Sequence, residues 1–342
     1  MSKTICVTGG AGFIAHHAIE TILNTTDWNI VTIDRLDFSG NFNRLQNILE
    51  NNPEKKRVKV VYHDLRAPIN PQTNQFLKEF GEINYVAHMA AACHVDRSID
   101  YPMEFVMDNV VGTCNILDWA RELDSLERFI YFSTDEVFGP APEGVKYKEW
   151  DRYNSSSPYS ASKAGGEELA VAYQNTYKMP IYISHTMNVF GERQHPEKYI
   201  PLCIKRVRDD EVITVHSNPE KTKAGSRHYI HAQDASSAMI FLMSKNIDIE
   251  TQDSFGVAKN IKFNIVGPNE IDNLTLANKI AECQGKTAKT EMVNFHASRP
   301  GHDLRYSLDN SLMKSLGWKP TKTFDERIQQ VSDWYLQNKE WL

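Results

Sequence analysis

The chain has 342 residues, 41% of them apolar and 24% charged, with a formal net charge of −6. That composition supplies a full buried core and excludes disordered, collagen-like and small disulfide-stapled architectures. The negative balance excludes a protein-wide field for nucleic acid or anionic lipid, and no apolar run approaches the roughly 18 residues that span a bilayer. An anionic small substrate therefore needs a local basic pocket. The opening Met1-Ser-Lys-Thr-Ile-Cys-Val-Thr lacks the layout of a signal peptide, so the protein is expected to be cytoplasmic, with no nucleic-acid or membrane partner. Cys6, Cys93, Cys114, Cys203 and Cys283 are odd in number and scattered, without a C-x-x-C pair. Neither a disulfide framework nor a metal site is expected, and packing is the default role for the thiols.

Taken in chain order, short β-rich runs at Thr4–Thr8, Asn29–Asp34, Arg57–His63, Asn84–His88 and Arg128–Ser133 alternate with helical stretches such as Ala11–Asn24 and Met103–Leu123. In the second of these, Phe105, Val106, Asn109, Thr113, Ile116, Leu117 and Ala120 recur on one helical face. The alternation predicts an α/β fold, a doubly wound parallel Rossmann sheet with ligand chemistry at the carboxyl ends of its strands. Beyond residue 188 the regularity weakens into turn-rich loops (Gly191–Glu197, His216–Ser226, Val266–Asn273), read as a smaller mixed α/β substrate lobe. Tyr229–Lys245 and the strand-like Lys262–Val266 are candidates for a return to the first domain. The division read is 1–188 plus about 228–262 for the parallel-sheet domain, and 189–227 plus about 263–342 for the lobe. Phe324–Leu342 has the spacing of a terminal helix.

Directly after the first strand stands Gly9-Gly10-Ala11-Gly12-Phe13-Ile14-Ala15, and the second strand ends in Asp34. Strand, glycine turn, helix, strand and acid in that order form a dinucleotide-binding unit. Gly9 permits the tight turn, Gly12 lets the backbone approach a pyrophosphate, and the helix N-terminus at Phe13 and Ile14 supplies N–H donors. Asp34 can accept hydrogen bonds from ribose hydroxyls and would repel a 2′-phosphate, which favours NAD over NADP. Arg35 directly after it argues the other way. Asp64 and Leu65, after the third strand, suit the adenine edge, although a capping aspartate explains Asp64 equally.

Tyr159 and Lys163 lie four apart at the start of a predicted helix, Pro158 to Tyr177, and so share a face. An ammonium beside the phenol would lower its pKa and suit it to take a proton from a sugar hydroxyl. Ser133-Thr134-Asp135-Glu136-Val137-Phe138-Gly139 leaves the fifth strand where the cleft opens. Thr134 can hydrogen-bond a substrate hydroxyl. Of two adjacent carboxyls, one is expected to stay protonated, which provides both an acid and a base for an elimination.

These segments, with His94-Val-Asp-Arg-Ser-Ile99, Pro196-Glu-Lys-Tyr-Ile-Pro201, Arg299-Pro-Gly-His-Asp-Leu-Arg-Tyr306 and Leu316-Gly-Trp-Lys-Pro320, resemble the extended short-chain dehydrogenase/reductase superfamily. Within it they look like the nucleoside-diphosphate-glucose 4,6-dehydratases, from which sugar epimerases differ by generally lacking the Asp135-Glu136 pair. The resemblance implies that Tyr159 takes the C4 hydroxyl proton and Thr134 polarises the C4 oxygen. Glu136 would then remove the C5 proton while Asp135 protonates the departing C6 hydroxyl. It further implies that Lys163 binds the nicotinamide ribose, and that Asn188, Lys198, Arg227, Asn264 and His302 contact dTDP-glucose or UDP-glucose. A structural histidine is the other reading of His302. A homodimer through the helices near Met103–Leu123 and Pro158–Tyr177 is implied as well.

The chain departs from that pattern at Ala92 and Cys93, where the family commonly has glutamate and serine. It departs again at Glu192-Arg193 in place of a proline-led turn, and in the loop His216–Ser226, which lacks the usual Gly-Asp-Gly. The last two leave thymine against uracil open. Competing readings are a nucleotide-sugar 4-epimerase or decarboxylase, and an inactive NAD-binding regulator.

Overall fold

Seven parallel strands form the central sheet of the computed structural model, which describes residues 2–37, 39–50, 52–245, 247, 261–294 and 304–342. The first six are β1 (Thr4–Thr8), β2 (Asn29–Asp34), β3 (Val58–Tyr62), β4 (Tyr85–His88), β5 (Arg128–Thr134) and β6 (Ile181–Thr186). The seventh, Lys262–Ile265, lies beside β6, and the spatial order runs from it through β6, β5, β4, β1 and β2 to β3. β1, β4, β5 and β6 are buried at every position, as a sheet covered on both faces requires. Strand order reverses between β1 and β4, the place where a doubly wound sheet opens a crevice at its carboxyl edge.

The helix expected over Met103–Leu123 is interrupted. Pro102–Val106 and Gly112–Arg121 are α-helical, but Met107–Val111 between them is a π turn. The turn shifts the helical phase, so Val106, expected on the buried face, is exposed, whereas Phe105, Asn109, Thr113, Ile116 and Leu117 are buried. Helix Phe13–Thr25 follows the glycine loop, and Ala232–Ser244 contributes Ala235, Ala238, Met239 and Leu242 to the same core.

A second core, built around Phe190, Ile204, Val215, Leu276, Ile280, Phe324, Ile328 and Tyr335, defines the smaller lobe. It includes the terminal helix Phe324–Gln337, which opens with a capping box between Thr323 and Glu326. Parts of the expected loops are short strands: Val212–Ser217 pairs with Lys289–Asn294, and Ser226–His228 with Glu270–Asp272. The boundary near residue 262 needs correction. Residues 262–265 are a strand of the main sheet, paired with β6, and Met313 and Trp318 pack into the main core.

Candidate active site

The glycine turn has the backbone the sequence required. Gly9 sits at φ +74°, and a Cβ there would lie 2.9 Å from the Ala90 Cα; one on Gly12 would lie 2.8 Å from the Gly9 carbonyl. Glycine is needed at both, and the loop is left as a bare backbone cradle that side chains would fill. Gly12 caps helix Phe13–Thr25 without a side-chain hydrogen bond, so the first-turn N–H groups remain available to an anion. Asp34 closes the loop from β2, accepting from Ala11 N at 2.9 Å and Leu36 N at 2.7 Å. Burial pushes its carboxyl above the usual range, and both oxygens keep a lone pair for further donors. Asp64, Leu65 and the Met89–Ala92 segment line the same cleft. These residues fit a dinucleotide.

The acidic turn lies next along the carboxyl edge. Thr134 ends β5 and caps the short 3-10 helix Asp135–Phe138, accepting from Glu136 N and donating to Asp135 Oδ1 at 3.1 Å. Asp135 is buried, its Oδ2 has no hydrogen-bond partner among the described residues, and burial raises its pKa to about 6 against the opposing charge of Arg227. Glu136 is half-buried and faces Tyr159. Tyr159 is set by a capping box of Ser157 and Ser160 that starts helix Pro158–Tyr177, and by a bond from its own N–H to Ser98 Oγ at 3.1 Å.

The expectation that Lys163 lowers the Tyr159 pKa is corrected. Burial, then Glu136 and Cys93, hold the phenol well above its ordinary value, with a Thr134 hydrogen bond pulling down. The two side chains share a helix face, but Lys163 Nζ donates to the Phe132 carbonyl at 2.5 Å and lies over the Tyr131 ring. Burial lowers Lys163 to about 8, opposed first by Glu167.

The expected substrate residues divide. Asn188 follows β6 with a buried Oδ1 that has no hydrogen-bond partner among the described residues. Arg227 is half-buried, stacks 4.6 Å from the Tyr306 ring centroid and acts on Asp135. Lys198 is half-buried, 4.0 Å from Glu197. Asn264 is corrected: it is fully buried, donates to the Tyr147 and Asp309 carbonyls and pairs with His185 Nδ1, so its amide is engaged inside the protein. His302 lies outside the described residues. Cys93 is exposed rather than packed; Cys114 and Cys283 are half-buried, and all five cysteines are free. Among the described residues no group of three or more His, Cys, Asp or Glu is placed to hold a metal ion.

Sequence reasoning missed a buried ionic cluster behind the turn. Glu167 accepts from Ser133 Oγ at 2.6 Å and from Tyr153, and ion-pairs with Lys262 at 2.9 Å and His185 at 3.0 Å. Its one available sign was the spacing of Tyr159, Lys163 and Glu167 at steps of four along one helix.

Fold and site together are those of a doubly wound nucleotide-binding enzyme with a tyrosine and a carboxyl pair at the sheet's carboxyl edge. Residues 6–331 match the family described as GDP-mannose 4,6 dehydratase, and the chain belongs to it. It is 34% identical over 364 residues to the dTDP-glucose 4,6-dehydratase of Escherichia coli, covering 98% of this chain and 94% of that one. The crystal structure of dTDP-glucose 4,6-dehydratase from Bacillus anthracis in complex with NAD superposes with a TM-score of 0.83 at 27% identity, covering 99% and 98% of the two chains. The UDP-glucuronic acid 4-epimerase of Bacillus cereus shares the fold at a TM-score of 0.81 and 23% identity, over 98% of this chain and 99% of that one.

Proposed function

We propose that the protein is an NAD-dependent nucleoside-diphosphate-glucose 4,6-dehydratase that converts dTDP-glucose to its 4-keto-6-deoxy nucleotide with loss of water. The carrying observation is the buried Asp135, next to Glu136 in the turn that ends β5, whose Oδ2 has no hydrogen-bond partner among the described residues and whose carboxyl burial pushes up to about 6. A carboxyl whose proton affinity is raised, next to a second carboxyl, offers the acid and the base that an elimination needs and a simple 4-epimerisation does not. The Escherichia coli relative's name supports dTDP-glucose over UDP-glucose.

NAD, when bound, would supply a hydride acceptor for C4 and, once reduced, the hydride donor for C6. Gly9, Gly12, Phe13 and Ile14 would hold its pyrophosphate, Asp34 a ribose, Asp64 and Leu65 the adenine edge, and Lys163 the nicotinamide ribose. Tyr159 takes the C4 hydroxyl proton, with Thr134 bonded to the C4 oxygen. The 4-ketone acidifies C5–H; Glu136 removes that proton as Asp135 delivers its own to the departing C6 hydroxyl, and water leaves. Glu136 then returns its proton to C5. Arg227, Lys198 and Asn188 carry the substrate's diphosphate and sugar, a local basic patch on an acidic protein. A homodimer belongs to the same reading, supported by Ile99, Tyr101, Met103 and Val106, exposed apolar residues clustered at the start of the π-interrupted helix. Five free cysteines suit the reducing cytoplasm.

The test is dTDP-glucose deuterated at C4. The label is expected at C6 of the product, without accumulation of NADH; release of the label to solvent overturns the reading.

A further inference from the structure

The cleft at the end of β2 carries more charge than Asp34 and Asp64. Four aspartates (Asp34, Asp37, Asp64 and Asp108) and two arginines (Arg35 and Arg66) line it, besides His63, leaving the carboxylates two charges in excess. Arg35, directly after Asp34, stands where a guanidinium could receive a 2′-phosphate. It is already engaged. Its Nη1 and Nη2 donate to the two oxygens of Asp108, each at 2.6 Å, and its Nε donates to Asp37 at 2.6 Å. Asp64 stands 3.6 Å from its Nη1 and also holds Arg66 through Nε at 2.9 Å.

Asp108 reaches Arg35 from 73 residues along the chain because of the π turn Met107–Val111, which carries it into the cleft. The turn is anchored. Its next residue, Asn109, bonds both the N–H and the carbonyl of Ala92 and also Ser162 Oγ. The Asp108 side chain is only 9% exposed, so its fork with Arg35 is weakly screened.

We propose that Asp108 is a cofactor-specificity residue: by holding Arg35 in a two-point fork, with Asp37 on its Nε, it denies the pocket the cation a 2′-phosphate requires. Asp34 alone repels that phosphate; Asp108 removes the compensation that Arg35 would offer. The inference rests on the dinucleotide reading and deepens it.

The test measures Kd for NAD and NADP by calorimetry on cofactor-stripped protein, for wild type, Asp108→Asn and Asp108→Asn/Asp37→Asn. Wild type is expected to prefer NAD. Asp108→Asn should tighten NADP binding about tenfold, the worth of one freed charge-assisted contact, while NAD changes much less. The double variant should gain further. Unaltered discrimination, or equal losses for both cofactors, overturns the proposal. Asp37→Asn, at a surface loop, reads the same ratio should Asp108→Asn not fold, and an unchanged ratio there counts equally against it. A wild type that binds neither dinucleotide overturns the cofactor reading itself, which separates the two failures.

Discussion

Ser133 Oγ donates to Glu167 Oε2 at 2.6 Å, so the residue before Thr134-Asp135-Glu136 is pinned to the helix that carries Tyr159, about two turns further along. The same carboxylate holds His185 on β6 and Lys262 on the neighbouring strand. The edges of both carboxyl-bearing and tyrosine-bearing elements therefore share one buried charge. Glu167→Gln leaves Lys262 buried with only the exposed Glu168, 3.9 Å away, as counter-charge, and should destabilise the fold by about 3 kcal/mol. Urea denaturation read by circular dichroism checks this, with Lys262→Met in the same background expected to recover part of the loss.

Asp135 gives a pH prediction. Burial raises its folded pKa to about 6, above the roughly 3.9 of an unfolded aspartate. The folded state binds this proton more tightly, so the group's contribution is fully present below about pH 4 and is lost as pH rises to about 6. As the acid of the elimination it must carry its proton, so kcat/KM should fall along an alkaline limb set by this group. With substrate diphosphate on Arg227, the ionised form loses part of its compensating charge, and the limb in kcat should lie at higher pH.

The two halves of the chemistry should separate. Tyr159→Phe should lower C4 oxidation by about 10²–10⁴, seen as loss of transient NADH absorbance in single turnover. Asp135→Asn should leave that transient and let it persist, because water cannot depart. Glu136→Gln should in addition abolish exchange of C5–H with deuterated solvent. Retained full turnover in Asp135→Asn would remove it from the acid role.

Gly9→Ala places a Cβ against the Ala90 backbone at a φ of +74°. The strain, about 1–2 kcal/mol, falls on the turn that shapes the cradle. NAD affinity should drop about tenfold or more, with a smaller change in melting temperature, as calorimetry and thermal unfolding would show.

Val106→Asp tests the dimer. Val106 is exposed beside Met103 on the helix that the π turn interrupts, and a charge there opposes burial in an apolar interface without entering the core. Size-exclusion chromatography with light scattering should report a shift from dimer to monomer.

Much of this was readable from local pattern. The glycine turn, the acid ending β2, the acidic turn after β5 and the Tyr159 helix all depend on short-range spacing, and period and turn chemistry are properties of neighbouring residues. The Val106 face was misread because a π turn adds a residue to one helical turn, which no hydrophobic period announces. Asn264 was misassigned because its motif shows which residue occurs, whereas its pairing opposite His185 decides that it points into the interior.

The amino-acid order was enough for the fold class, the family pattern and the identity of the reacting groups, since those follow from residue type and near spacing. Tertiary packing alone decided the direction of the Lys163 ammonium, the fork between Arg35 and Asp108, and the Glu167 cluster. Each joins side chains on separate elements, and the strength of a charge contact depends on distance and burial, which only the assembled fold sets.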